Sequence, residues 1–319
     1  EQIRDAGWAM SRGEYNVSNF LAHDYMYMYN WQTGMAVLQS IFMRIFGIYS
    51  VYVFKFGSAV CQLMSTILIY FIAKRHFGIK VAANAGIIAA LFVPHILSVP
   101  ELSNQQTTAP LLLLTLYLYE NGSLRCAFGA GVVIALANAM RPIAIIITLS
   151  FLCYELYMWL NGSRIWNGIK RFLVYYIALS LTLFLIDTVA IRCNYADSPL
   201  SQAKMPWYKF HNGLTGYMNP EKDIIRLGDD IEFVFYLGYV DDHFIDTFGR
   251  NTEIILSKEV KLQYLFGWTQ YFVLLCFSLY GITRAKFKHI PILAIFFIGN
   301  TLVYLLIEAC NYYRFPKYF

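Results

Sequence analysis

Arg141, Asp187, Glu308 and Arg314 are expensive residues to keep where they stand, because each lies in or beside a long apolar run. A charge at membrane depth needs an opposite partner, a water-filled cavity, or a helix end from which it can reach water. An arginine so placed can hold a phosphate, and a carboxylate can take a proton from a hydroxyl. Two readings therefore stand side by side. The four residues are helix-end anchors or structural ion pairs, or they line a polar cavity where phosphate and proton chemistry takes place. Glu120 and Glu155 fall toward the opposite ends of their runs and read as ordinary anchors.

Other chemistry-bearing patterns are weaker. Asp242, His243 and Asp246 have a spacing that could take a divalent cation, but they sit in an acidic stretch with Asp229, Asp230 and Asp241 that reads as a solvated loop face. No metal and no cofactor is assigned, and a divalent-cation requirement stays open. His23, His95, His211 and His243 belong to no nucleophile motif. There is no G-x-G-x-x-G or other phosphate loop. The six cysteines (Cys61, Cys126, Cys153, Cys193, Cys276, Cys310) form no C-x-x-C or zinc spacing and read as buried core thiols, with Cys193 and Cys310 placed to meet near one face.

The elements that must position these charges are membrane helices. Of 319 residues, 58% are apolar and 14% charged, and the mean hydropathy is +0.48. That composition excludes a disordered tail, a collagen-like rod, a nucleic-acid-binding domain and a disulfide-stapled secreted module. Apolar runs near 51–73, 81–99, 107–120, 126–140, 142–160, 171–191, 262–283 and 289–309 predict about eight crossings. Lys74, Arg75, Lys80, Arg125, Arg164, Lys170, Arg171, Arg284, Lys286 and Lys288 all fall in alternate connectors, which marks those connectors as cytoplasmic.

The expected organisation is an all-α polytopic membrane protein. Residues 1–50 form an outward first loop, 51–193 six transmembrane helices, 194–261 a long outward loop or subdomain, 262–309 two more helices, and 310–319 an outward tail. Within the first loop, residues 35–46 place Leu38, Ile41, Phe42, Ile45 and Phe46 on one stripe and Ser40 and Arg44 opposite, which predicts an amphipathic helix lying in the interface. The chain opens on Glu1 rather than Met, and is expected to be a fragment lacking a first transmembrane helix.

The first loop carries a resemblance. Its helix, Gly13-Glu14-Tyr15 turn, Tyr29-Asn30-Trp31-Gln32-Thr33-Gly34 segment and juxtamembrane helix ending in Phe46-Gly47 resemble membrane glycosyltransferases of the GT-C superfamily. Within that superfamily the likeness is to the bacterial protein-mannosyltransferase-like branch, which uses polyprenyl-phosphate sugars. Arg141-Pro142, the segment around Trp207, Gly213, Gly216 and Asp223, and the IEACNYYRFP stretch extend the likeness over most of the chain. Asn30 departs from it, because the family has proline there. The family's acidic residue would fall at or just before residue 1.

The resemblance implies a GT-C-like helical bundle that moves a sugar from polyprenyl phosphate to an extracytoplasmic glycan, lipid or protein acceptor, inverting the anomeric centre. It implies a first-loop carboxylate as base, for which Glu1, Asp5 and Asp24 are the candidates. Arg141 and Arg314 would bind the lipid phosphate, with Tyr29, Gln32 and Trp207 contributing to the donor site, although interfacial Tyr and Trp also serve as plain membrane anchors. The implied setting is a cell membrane, bacterial plasma membrane foremost, with membrane lipid and no nucleic acid as partner. The rival readings are a transporter or flippase of lipid-linked saccharides, a polymerase using them, and a non-catalytic membrane scaffold. Repeated halves and midplane charges, which a transporter would favour, are not visible.

Overall fold

A computed structural model describes residues 2–17, 26, 30–92, 96, 99, 104–163, 165–200, 273–274, 276–281, 291–296 and 298–299. Among them every regular element is helical, so the expected all-α class is borne out. The chain divides into two units, Glu1–Lys204 with Ala285–Phe296, and Met205–Arg284 with Phe297–Phe319. Of the second unit, the described residues are helical and include the exposed apolar side chains Phe277, Leu279 and Tyr280.

The first unit runs through α1 (Gln2–Arg12), α2 (Thr33–Phe46), α3 (Ser50–Phe77), α4 (Ile79–Ala90), α5 (Asn104–Tyr119), α6 (Leu124–Asn138), α7 (Ala144–Leu160) and α8 (Ile165–Arg192). The six runs expected between 51 and 193 are thus each represented by a helix. The fourth helix corrects the expectation for 81–99: α4 stops at Ala90 and the chain turns at Leu91. Pro94, four residues beyond Ala90, fits the break, since it has no N–H to offer the Ala90 carbonyl.

Among the described residues, two stretches are long and apolar enough to cross a membrane, Asn30–Phe77, which contains α3, and α8; α4, α6 and α7 are shorter apolar helices. Only 17% of the most apolar window of α8 is buried inside the protein. Trp166, Leu173, Tyr176, Ile177, Leu181, Phe184 and Val189 all face outward from it. A soluble helix of that composition would hide its apolar side chains; a membrane helix gives them to lipid. The same argument corrects the reading of the cysteines. Cys153, Cys193 and Cys276 are exposed and Cys61 and Cys126 half-buried, all of them free thiols; Cys310 lies outside the described residues.

The core forms where α5, α6, α7 and α8 meet. Small residues on α6 (Ala127, Ala130, Gly131, Ala135) let it lie close along α8, and a side chain at Gly131 would run into the Tyr175 carbonyl and Ala178. Tyr119 of α5 stacks on Phe151 of α7 with centroids 3.8 Å apart, and Tyr175 of α8 meets both rings edge-on. Such pairs add about 0.5–1.5 kcal/mol each beyond the area they bury. Ile292 and Phe296 close over this cluster.

The juxtamembrane helix is present, but its packing face is not the stripe that the periodicity singles out. Met35, Ala36, Gln39 and Met43 are buried, with Ala36, Gln39 and Met43 against Gly7 of α1, whereas Ile41, Ile45 and Phe46 are exposed. The apolar stripe is therefore the surface left for lipid, and the more mixed face carries the contact with Ala6 and Met10.

Candidate active site

The helix ends gather into two layers. One is basic: Arg75 of α3 donates to the Tyr117 carbonyl of α5 at 3.0 Å, and His76 meets Glu120 at 2.9 Å. In the same layer Arg171 of α8 grips Glu155 of α7 through two bonds of 2.6 and 2.7 Å, while the Tyr119 hydroxyl donates to Glu155 at 2.6 Å. Glu120 and Glu155 are not ordinary anchors. Their side chains are only 4% and 10% exposed, and both are tied to cations on neighbouring helices. Gly168 makes room for this, because a side chain there would strike the Glu155 carboxylate.

The other layer holds the sequence-derived donor-site residues that are described. Arg141 stands in the short turn from α6 to α7. Met140 and Arg141 both donate backbone N–H groups to the Ala137 carbonyl, and the Asn138 side chain accepts from the Ala144 N–H at 2.9 Å. That last bond satisfies one of the otherwise unpaired amides that begin α7. The start of α2 lies directly against the turn: a Cβ at Gly34 would collide with the Ala139 carbonyl, so this close approach requires glycine.

Asn104, the first residue of α5, joins these parts. Its side-chain nitrogen donates to Gln32 Oε1 at 3.1 Å and to the Met140 carbonyl at 2.8 Å. Gln32 and the turn that carries Arg141, 109 positions apart in the chain, are thereby brought together. Asn104 was not among the residues that the sequence singles out, although an amide opening an apolar helix is the signal that could have marked it.

Asn30 stands where the resemblance would place a proline. It is 2% exposed and its nitrogen donates to the Pro199 carbonyl at 2.9 Å and to Ser198 Oγ at 3.3 Å. Asp187 holds the same short strap from the other side, accepting the Leu200 N–H at 2.9 Å. The strap reaches this position because Asn194 adopts a left-handed φ of 56° and ends α8. Tyr195 then packs edge-on to Tyr15, and Val17 donates to the Asn194 carbonyl. Burial, helped by the nearby Asp197 charge, pushes the Tyr15 hydroxyl up to about 12. First loop and strap are thus fastened together.

Asp5 is placed differently. It lies on the exposed side of α1 with Arg4 3.5 Å away, and the structure does not bring it into the Asn104 cluster. Glu1, Asp24, Tyr29, Trp207, Glu308 and Arg314 lie outside the described residues, as do Asp242, His243 and Asp246. Among the described residues no group of acids, histidines and cysteines has a metal-holding arrangement.

Residues 33–190, just under half of the chain, match the model of the family described as dolichyl-phosphate-mannose-protein mannosyltransferase. Over this stretch the chain is similar to a family of the GT-C glycosyltransferase type, the membrane-embedded class that its motifs resemble. The match includes Arg141 and begins one residue after Gln32. No curated protein and no solved structure matches significantly.

Proposed function

We propose that the chain moves a glycosyl group from a polyprenyl-phosphate sugar to an acceptor hydroxyl on the extracytoplasmic side of a cell membrane. The hydroxyl oxygen attacks the anomeric carbon from the face opposite the phosphate, the bond to the phosphate oxygen breaks, and the centre inverts. A first-loop carboxylate, from Glu1, Asp5 or Asp24, takes the hydroxyl proton. Arg141, with Arg314, stabilises the charge that grows on the departing polyprenyl phosphate. Gln32, Tyr29 and Trp207 contribute to donor binding. The acceptor class is a glycan, a lipid or a protein, the membrane is a bacterial plasma membrane, and no metal is assigned to the chemistry.

The observation that carries this reading is the Asn104 link, which sets a first-loop motif residue against the Arg141 turn at the end of the bundle away from the basic layer. A sugar on a lipid phosphate has its reacting carbon at headgroup level, where helix ends are and where no soluble nucleotide fold can reach it. The test is release of free polyprenyl phosphate from radiolabelled polyprenyl-phosphate sugar by the purified protein with extracytoplasmic acceptors, in the presence and absence of chelator. Arg141→Ala should lower turnover by about 10²–10³ with helicity and melting temperature retained. Sugar movement between leaflets without bond cleavage would replace this reading with a transporter, and unchanged turnover in the variant would remove Arg141 from the site.

A further inference from the structure

A recess lies in the elbow between α2 and α3, walled by Phe42 and Met43 of α2 and by Val51 and Phe54 of α3, with Gln39 and Ser50 completing the lining. Two unmet polar atoms belong to that lining. Gln39 is 4% and Ser50 2% exposed, and among the described residues neither Gln39 Oε1 nor Ser50 Oγ has a hydrogen-bond partner. Burying such atoms unpaired is costly.

Other buried hydroxyls of α3 are satisfied within the helix: Ser58 donates to the Phe54 carbonyl at 3.2 Å and Ser65 to the Cys61 carbonyl at 3.0 Å, each four residues back. Ser50 makes no such bond. It opens α3, and the 3-10 turn Gly47–Tyr49 stands where a preceding α-helical turn would be.

We propose that this recess binds the free hydroxyl of a neutral membrane lipid, which donates to Gln39 Oε1 and accepts from Ser50 Oγ. The space open to a water-sized group is about 10 Å³, enough for one hydroxyl and nothing larger. The number of partners favours an alcohol over water. A bound water typically makes about three hydrogen bonds; an alcohol has one hydrogen to give, is served by two partners, and turns its carbon toward Phe42, Val51 and Phe54. A charged amine or phosphate is disfavoured, because no opposite charge lines the recess. Lipid is the source of the hydroxyl, since the surface at the elbow (Ile45, Phe46, Ile48, Tyr49 and Tyr52) is apolar and exposed.

The test reads lipid binding and so does not depend on the transferase reading. The full chain is placed in nanodiscs of phosphatidylcholine, which carries neither O–H nor N–H, together with a diacylglycerol whose acyl chain is photoreactive. Crosslinks should map within residues 42–54. Unlabelled diacylglycerol should displace the probe about 3- to 10-fold better than its acetyl ester, whose hydroxyl is capped, the worth of about one neutral hydrogen bond. Ser50→Ala should about halve that preference, and Gln39→Leu with Ser50→Ala should abolish it. Ser58→Ala, which removes a hydroxyl satisfied within the helix, should keep it. Where the double variant fails to insert, Ser50→Ala alone decides. Equal displacement by alcohol and ester would mean that a water fills the recess and would overturn the proposal. Crosslinks absent from 42–54, or a preference unchanged in Ser50→Ala, would overturn it as well.

Discussion

Glu155 shows how a single residue type can be misjudged from position. Near a run end it reads as an anchor free to reach water, yet it accepts from Arg171 and Tyr119 and is nearly enclosed. The reason is Gly168, three residues ahead of Arg171, whose missing side chain lets the two helices close on the carboxylate; nothing in a window of hydropathy reports that contact. Removing one partner of such a pair strands the other charge, at a cost of about 3–5 kcal/mol. Glu155→Ala should therefore lower the melting temperature in detergent by about 10 °C. Replacing both residues, Glu155→Met with Arg171→Met, should recover most of the loss, since apolar pairs of similar volume often serve as well. A double variant no more stable than Glu155→Ala would show that the charges themselves are needed there.

At the scale of elements, the helices were legible and their packing was not. α3 and α8 carry continuous apolar sequence with no internal proline, so the hydropathy pattern and the helix coincide within a few residues. α8 nonetheless starts at Ile165, ahead of the run at 171–191, because Trp166 and Ile169 continue the lipid-facing stripe between polar residues. The α2 stripe was read correctly as apolar and assigned to the interface, yet the residues that bind α2 to α1 are methionine, alanine and glutamine, chosen by fit rather than hydropathy. On the same principle α6 is recognisable as a helix from its run, whereas its partner is set by Gly131 meeting the α8 backbone. Gly131→Leu should force α6 and α8 apart. The expected result is poor recovery of folded protein from the membrane and faster proteolysis within 124–192, while Gly57→Leu, where a Cβ meets nothing, should behave as wild type. Equal behaviour of the two variants would mean that the α6 to α8 contact does not hold the bundle together.

For the whole molecule, the proposed chemistry depends on which layer faces out. Lys74, Lys80, Arg125 and Lys170 are exposed in the basic layer or the connectors beside it, while Arg75 and Arg171 there are neutralised by Glu120 and Glu155. The orientation signal consists of Lys and Arg in short loops near the membrane ends, and the paired arginines still count toward it because pairing follows insertion. The Arg141 layer, whose connector from α6 to α7 is a short turn, carries a single basic residue between those two helices. The sequence alone therefore gave both the membrane class and the expected sidedness, since each depends only on composition and charge order. The Asn104 link was hidden because it joins residues distant in the chain through one amide. The orientation can be checked by replacing the native cysteines and introducing Lys80→Cys or Pro142→Cys, both at exposed positions. In intact cells a membrane-impermeant maleimide should label the cysteine at position 142 and reach that at position 80 only after permeabilisation. The reverse pattern would put Arg141 and Gln32 in the cytoplasm, where an outward-facing lipid-linked sugar cannot meet them, and the proposed transfer would have to be abandoned even with the fold unchanged.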